Sequence, residues 1–435
     1  MSAIATNRWL ESLLAAHSVA PPRPHAWVNQ MRAAALERAH SLTLPTAREE
    51  DWRFTDLSPL YQLAFKPVTS ASSPAGLALE PVIAPEAQRR LVFVDGQFVP
   101  ALSAPAADGL VVTTLAAGLD THGELLRAQL AQHASFQDDA FRAINTAYLA
   151  DGALVIARSN AAAAAPVQLI FATTQAEVAI HPRCLIVAEQ GAELTVLEDH
   201  VGLHAGPYGV NAVAEIVVGA NARVRHIRRQ QEGSGAFHIA TCAVRVERDA
   251  SYESISIALG ARISRYNLNV RQAQEGVRLR LDGLALVAKR QLADTHSFID
   301  HAVAHGASRQ LHKCVVAGGG HAVFNGRILV RAGAQRTDSA QESRNLLLAP
   351  GAHVDTKPQL EIFADDVKCS HGAAVGQFEE EQLFYLRSRG LSEGAARALL
   401  TYGFAAEIVD RIPIASVVTA LRRKALEQTH GEGLA

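Results

Sequence analysis

Hydrophobic and polar residues follow two different periods along this chain. Between residues 153 and 376 the apolar residues come in short runs bounded by Gly, Asn and Asp. Examples are Cys314-Val315-Val316, Ala322-Val323-Phe324, Ile328-Leu329-Val330, Leu346-Leu347-Leu348 and Leu360-Glu361-Ile362. Runs this short and this rich in Val, Ile and Leu predict strands, not helices. Small corner pairs recur among them at Gly191-Ala192, Gly219-Ala220, Asp249-Ala250, Glu275-Gly276, Gly306-Ala307, Gly333-Ala334 and Gly351-Ala352, mostly about 26 to 31 residues apart. Corners at a near-constant interval predict a coiled β solenoid, whose rungs must stack to bury their inward faces. The expectation is a mainly β chain built on a parallel β-helix, with a β-sandwich as the competing arrangement.

On either side the period becomes helical. Trp9, Leu10, Leu13 and Leu14 predict a helix over 6–17, and Trp27, Val28, Met31 and Ala35 a second over 25–40, separated by Pro21-Pro22-Arg23-Pro24. Arg48 to Thr55 mixes charge with Trp52 and Phe54 and reads as a packing segment, with Arg53 paired to an acidic neighbour. Residues 67–90 are rich in Pro, Ser and Ala and read as a linker, and Leu91 to Val99 is a hairpin around Asp95-Gly96. Helical spacing returns over 123–149. After Gly376, one helix runs from Glu379 to Arg389 and stops at Gly390. A second is capped by Ser392 and ended by Pro413, and a third covers about 414–428. The division expected is a helical region with linker and hairpin over 1–150, the β-helix over 151–376 and a helical domain over 377–435.

Composition narrows the functions open to the chain. A net charge of -2 over 435 residues leaves no footprint for nucleic acid or an anionic membrane, and no apolar run approaches the roughly 18 residues of a membrane span. The first twenty residues are amphipathic, unlike a signal peptide, so a cytoplasmic protein is expected. Cys184, Cys242, Cys314 and Cys369 are too dispersed for a self-contained thiolate site and read individually as small buried residues.

Two groups carry candidate chemistry. His296, His301, His305, His312 and His321 fall within 26 residues with Cys314 among them, a donor set suited to iron or zinc, although solvated and turn histidines are the commoner reading of such a cluster. Cys369 and His371 are sharper: two apart on a strand, they share a face and are candidate metal ligands. Two ligands are too few for a closed site, so the rest would come from elsewhere in the chain or from another subunit. No nucleotide loop, metalloprotease motif or nucleophile elbow is present, and Gly318-Gly319-Gly320 lies between predicted strands, a weak phosphate loop. On the second C-terminal helix, Leu399, Leu400, Phe404 and Ile408 form an apolar stripe expected to be shared between internal packing and a partner.

Lys313 to Val316, Val323 to Ile328, Ala334 to Gln341, Pro358 to Ile362, Asp365 to Ala373, Gln382 to Gly390 and Glu50 to Thr55 together resemble the SufB/SufD family of iron-sulfur cluster assembly scaffold proteins. The chain is similar to the SufD branch, because Arg344 to Leu348 lacks the cysteines of the SufB branch and Gly372 stands where SufB carries glutamate. Ala374 departs from the family's usual threonine. The resemblance implies a right-handed parallel β-helix flanked by helices and a non-enzymatic subunit that pairs with a SufB-like scaffold and a SufC-like ATPase, the latter on the C-terminal helices. It further implies that His371, and less firmly Cys369, face iron or a nascent iron-sulfur cluster shared with the scaffold. The isolated chain is expected to hold no tightly bound cofactor, and whether it forms a homodimer without partners stays open. The competing functions are a purely structural β-helix subunit and a polysaccharide-acting β-helix enzyme. The latter needs clustered catalytic carboxylates in a groove, and the acidic residues here are dispersed.

Overall fold

The computed structural model describes residues 7–17, 24–68, 76–106 and 109–430, with side chains to residue 426. Pro21 to Arg23 and part of the expected linker lie outside these residues. The N-terminal region holds helices α1 (Arg8–His17), α2 (Ala26–Ser41), α3 (Ser58–Tyr61), α4 (Leu115–Thr121), α5 (Gly123–Gln129) and α6 (Ala140–Ala147). Its strands are β1 (Lys66–Pro67), β2 (Arg89–Val94), β3 (Gln97–Phe98) and β4 (Leu110–Thr114). The hairpin at Asp95-Gly96 forms as the sequence predicts, with φ of 49° and 79° at its two corner residues.

From β5 (Ala153–Ala157) onward the chain coils into a parallel solenoid of about eight turns. One sheet takes β5, β8 (Arg183–Ala188), β10 (Tyr208–Val218), β12 (Ala236–Val246), β14 (Ile263–Gln272), β16 (Leu292–His301), β18 (His321–Val330) and β20 (His353–Ile362). The facing sheet takes β6 (Val167–Thr173), β9 (Glu193–Gly202), β11 (Arg223–Gln231), β13 (Ser251–Ala258), β15 (Arg278–Val287), β17 (Ala307–Val316), β19 (Asp338–Leu347) and β21 (Lys368–Gly376). The short β7 (Val178–Ile180) pairs with β1 and β10. Arg223 lies beside Ser251, Ser251 beside Arg278 and Arg278 beside Ala307, which sets repeats of 28, 27 and 29 residues.

The recurring corners have a backbone cause. Two residues before successive strands of the second sheet stand Gly191, Asn221, Asp249, Gly276, His305 and Arg336, all left-handed with φ between 56° and 75°. Glycine, asparagine and aspartate tolerate that region best, so a turn residue at rung spacing is what the sequence displays.

Alternate residues of both sheets point inward into one continuous core, from Leu91 and Phe93 to Ile328 and Val330. The outer faces are covered by different regions. Trp9, Leu13, Trp52, Phe65 and Phe141 pack on Phe237, Ile239 and Ile263 of the first sheet. Ala405, Ile408, Val409, Val417 and Leu421 pack on Ile227, Ile255, Leu284, Leu311 and Val315 of the second. These last residues come from helices α8 (Glu393–Val409) and α9 (Ala415–His430), which follow α7 (Glu380–Ser388). Ser392 caps α8 through Ala395 N–H, and Gly390 ends the preceding turn at φ 90°.

The sheets begin earlier than residue 151, since β2 pairs with β6 and β4 with β5. Those additions close the first end of the solenoid, while β20 and β21 form the edge of each sheet at the other. The arginines of β11 divide between solvent and interior. Arg223 and Arg225 face solvent, in ion pairs with Glu193 and Glu253. Arg228 points inward over the Tyr266 ring, and Arg229 is buried against Asp199 beneath the Val82 carbonyl.

Candidate functional site at the open end of the solenoid

Register places Cys369 and His371 at the ends of two inward-facing ladders. Leu194, Val224, Tyr252, Leu279, Ser308, Ser339 and Cys369 form one, and Val196, His226, Ser254, Leu281, Gln310, Gln341 and His371 the next. Both residues therefore share a face, as their spacing predicts, and that face is the solenoid's interior at its last rung. His371 is nonetheless exposed, because no further rung covers it, and Cys369 is half-buried against the core.

Beyond Leu279 and Leu281 both ladders are lined by hydroxyl and amide as far as the mouth. Ser308 Oγ lies 2.6 Å from Ser339 Oγ, Gln341 Nε2 donates to Gln310 Oε1 at 2.8 Å, and Gln310 Nε2 donates to Ser297 Oγ at 2.8 Å. Thr356 Oγ1 joins Ser343 Oγ at 2.9 Å across the two sheets. Gly326 makes this lining possible, since a Cβ there would stand 2.3 Å from Gln341 Nε2. Burial raises the Cys369 thiol above its ordinary value, partly opposed by the Ser339 backbone N–H, so a metal at that sulfur must displace a proton near neutral pH.

Deeper inside lies a second polar group that the sequence reading did not single out. Glu198 faces His200 Nε2 at 2.7 Å and His226 Nε2 at 3.0 Å, and His226 Nδ1 lies 3.2 Å from the Tyr252 hydroxyl. Burial opposes charge on Glu198, yet the bonds from His200 and His226 hold it well below the usual carboxylate range. Burial also lowers His226, but its bonds with Cys242 and Glu198 prevail and raise it to about 9. Arg228 donates to His238 Nε2 while His238 Nδ1 faces Glu232 at 2.7 Å, and burial pushes His238 down to about 4. Placing the residues on successive rungs by their corners was the signal that could have joined them.

The histidines that cluster in sequence disperse in space. His301 is inside, bonded to Gln272 and Ser308, and His312 is inside, stacked on Phe324 at 4.5 Å. His296 is outside against Asp294 at 3.1 Å, and His305 is a left-handed corner. Cys314 is fully buried and its thiol is pushed up to about 12 by burial. Cys184 and Cys242 are buried as well. Gly318 to Gly320 form a turn into β18 and open no helix, so the phosphate-loop geometry is absent there.

The Glu50 to Thr55 signature is a clamp on the first sheet. Trp52 stacks under Arg265 at 4.0 Å, Arg265 also pairs with Asp294 at 2.6 Å, and Thr55 Oγ1 donates to Asp294 Oδ2 at 2.5 Å. Arg53 lies over the Phe54 ring at 5.7 Å and also acts electrostatically on Glu50, an acidic neighbour of the kind expected.

The α8 stripe divides between two roles. Ile408 is fully buried against the solenoid and is no surface residue, whereas Leu399 is 47% exposed. Leu400 and Phe404 are half-buried, and the Lys313 ammonium sits over the Phe404 ring at 4.3 Å. Among the described residues, the exposed large hydrophobics are Ile362, Phe363, Val375, Phe384, Tyr385, Leu391, Leu399 and Leu426, all on the last rung or the C-terminal helices.

Among the described residues, the polar mouth, the imidazole at its rim and the large exposed hydrophobics gather at one end of the molecule, as in a protein that docks others. A family profile described as the SUF system FeS cluster assembly, SufBD core domain matches residues 171–404, and the SufBD protein N-terminal region matches 13–169. The chain belongs to the SufBD family of iron-sulfur cluster assembly proteins. It is 40% identical to an iron-sulfur cluster assembly SufBD family protein of Synechocystis over 90% of this chain and 89% of that one. It is 36% identical to the iron-sulfur cluster assembly protein SufD of Escherichia coli over 85% of each, which makes it SufD-like. A chloroplastic protein of Arabidopsis thaliana, ABCI7, is 40% identical over 54% of this chain and 50% of its own. No described helix is long and apolar enough to cross a membrane.

Proposed function

We propose that this chain is a non-catalytic, cytoplasmic subunit of an iron-sulfur assembly complex. Its open solenoid end pairs with a SufB-like scaffold and its C-terminal helices dock a SufC-like ATPase. The observation that carries this reading is that, among the described residues, the large exposed hydrophobics all fall within residues 362–426. Exposed apolar surface gathered at one end is the mark of a docking surface. It adjoins the unpaired edges of β20 and β21, whose free backbone groups suit strand-by-strand pairing.

At such a joint His371 contributes a neutral imidazole to iron or a nascent cluster, which is the cargo, and the partner contributes the remaining ligands. Cys369 is the lesser ligand, since it must first lose a proton that burial holds in place. Leu399, with Phe384 and Tyr385 of α7, is the ATPase contact, and Leu400 and Phe404 support it from the half-buried side.

The test is anaerobic purification of the complex after co-expression with SufB-like and SufC-like partners. At equal complex yield, His371→Ala loses most of its iron and acid-labile sulfide and Cys369→Ala loses less. Wild-type iron and sulfide in the His371→Ala complex would leave the mouth a structural joint and overturn the assignment.

A further inference from the structure

We propose that His321, His353 and Asp355 bind one divalent first-row transition-metal ion on the outside of the last rungs, separate from the mouth. Register creates the site. His321 opens β18, His353 opens β20 directly beside it, and Asp355 stands two residues further along β20 on the same face. Val354 and Thr356 between and after them point inward, to the core and to Ser343 respectively. The odd-numbered residues of β20 therefore point outward, away from the interior that His371 faces.

The three donor atoms converge on one place. His321 Nε2 is 2.8 Å and His353 Nε2 3.1 Å from the same oxygen, Asp355 Oδ2, and one ligand atom from each residue lies within 4.8 Å of the others. The imidazole planes are tilted by 56° with centroids 4.9 Å apart, so the rings present their edges to a common point and do not stack. Two imidazoles and a carboxylate on one side, with the other side open, is the donor set of three-ligand zinc and of mononuclear iron(II) sites. Side-chain exposure of 25% for His321, 23% for Asp355 and 65% for His353 leaves that open side to water. A cation here ties the edge strand β20 to β18. The sequence hides the site because its histidines lie one rung, 32 residues, apart.

The experiment uses the full-length chain, stripped with chelator and titrated with cobalt(II), whose visible bands report coordination geometry. Zinc(II) and, under anaerobic conditions, iron(II) then compete for the bound cobalt. We expect one equivalent per chain, at least tenfold weaker binding in Asp355→Asn and in His353→Gln, and unchanged binding in a Cys369→Ala/His371→Ala double variant. X-ray absorption should show two imidazole nitrogens at about 2.0–2.1 Å in the zinc form. Displacement by zinc or by iron ranks the site's affinities for these ions and supports the proposal. It is overturned if cobalt does not bind, if Asp355→Asn binds as wild type while circular dichroism is unchanged, or if the mouth variant abolishes binding.

Discussion

The joint between solenoid and C-terminal helices rests on a charge that has almost no access to water. Lys313 projects outward from β17 with its side chain 4% exposed, and its ammonium lies 2.5 Å from Glu407 Oε2 on α8. It also donates to the Phe404 carbonyl at 2.9 Å. Glu407 is 36% exposed and has further cations in Arg344 at 3.2 Å and Arg411 at 3.7 Å, so removing Lys313 does not orphan it. The two substitutions should therefore differ. Glu407→Ala strands a buried ammonium, which costs about 3–5 kcal/mol when nothing else compensates. The Phe404 carbonyl and ring remain, which lowers the expectation to about 2–3 kcal/mol. Lys313→Met replaces the stem with a hydrophobe of similar length and should cost about 1 kcal/mol or less. The double variant should resemble Lys313→Met, since the stranded charge is gone. Urea unfolding supplies the free energies, and limited proteolysis reports whether the helices detach first. If Glu407→Ala cost less than about 0.5 kcal/mol, or if the double variant were as unstable as Glu407→Ala, the buried-charge account of this joint would be refuted.

Leu399→Asp and Phe384→Asp should each weaken capture of the SufC-like ATPase at least tenfold in a pull-down while unfolding as wild type, because both side chains are exposed; equal capture removes them from the interface. Ile408→Ala should instead lower the chain's own stability by about 2–4 kcal/mol, measured by urea unfolding, since its side chain fills the seam beneath α8. Stability should also fall with acid. Burial lowers His181 and His312 to about 3, and His238 and His301 to about 4. The unfolded chain takes up protons near pH 6.5 that these folded imidazoles refuse, so their contribution is full above about 6.5 and is lost as pH falls toward 4. His226, raised to about 9, acts oppositely: its contribution is present below about 6.5 and disappears as pH rises through 9. Calorimetry should find the highest melting temperature between about pH 7 and 8, and a melting temperature independent of pH from 7.5 to 5 would contradict the burial of these rings.

The architecture was legible in the sequence because it is periodic. Asn221, Asp249 and Gly276 mark a left-handed corner at each turn, and that backbone requirement restricts residue choice enough to be read directly. Cys369 and His371 were legible because two residues apart on a strand fixes a common face, although not which face. Only the register to Ser339 and Gln341 shows that they look inward. Contacts between rungs were not legible. His321 was grouped with His301 and His312, its neighbours in sequence, when its partners are His353 and Asp355 on the next rung of the same sheet. Nor does helical spacing alone separate Ile408 from Leu399, because the boundary between core and surface on α8 is set by where the second sheet lies beneath it.

The unfinished last rung has a bearing on how many copies of this protein a cell can tolerate. β20 and β21 are ten- and nine-residue edges with no strand paired beyond them, blunted only in part by Lys357, Lys368 and Pro358, whose ring removes one backbone N–H. Whatever occupies those edges competes with a second copy of this same chain, which offers identical edges in identical number. If the proposed scaffold partner occupies them, synthesis in excess of that partner raises self-association as the square of the surplus. On that proposal the dosage of the two chains, as much as their affinity, sets how much of this one is held in the complex.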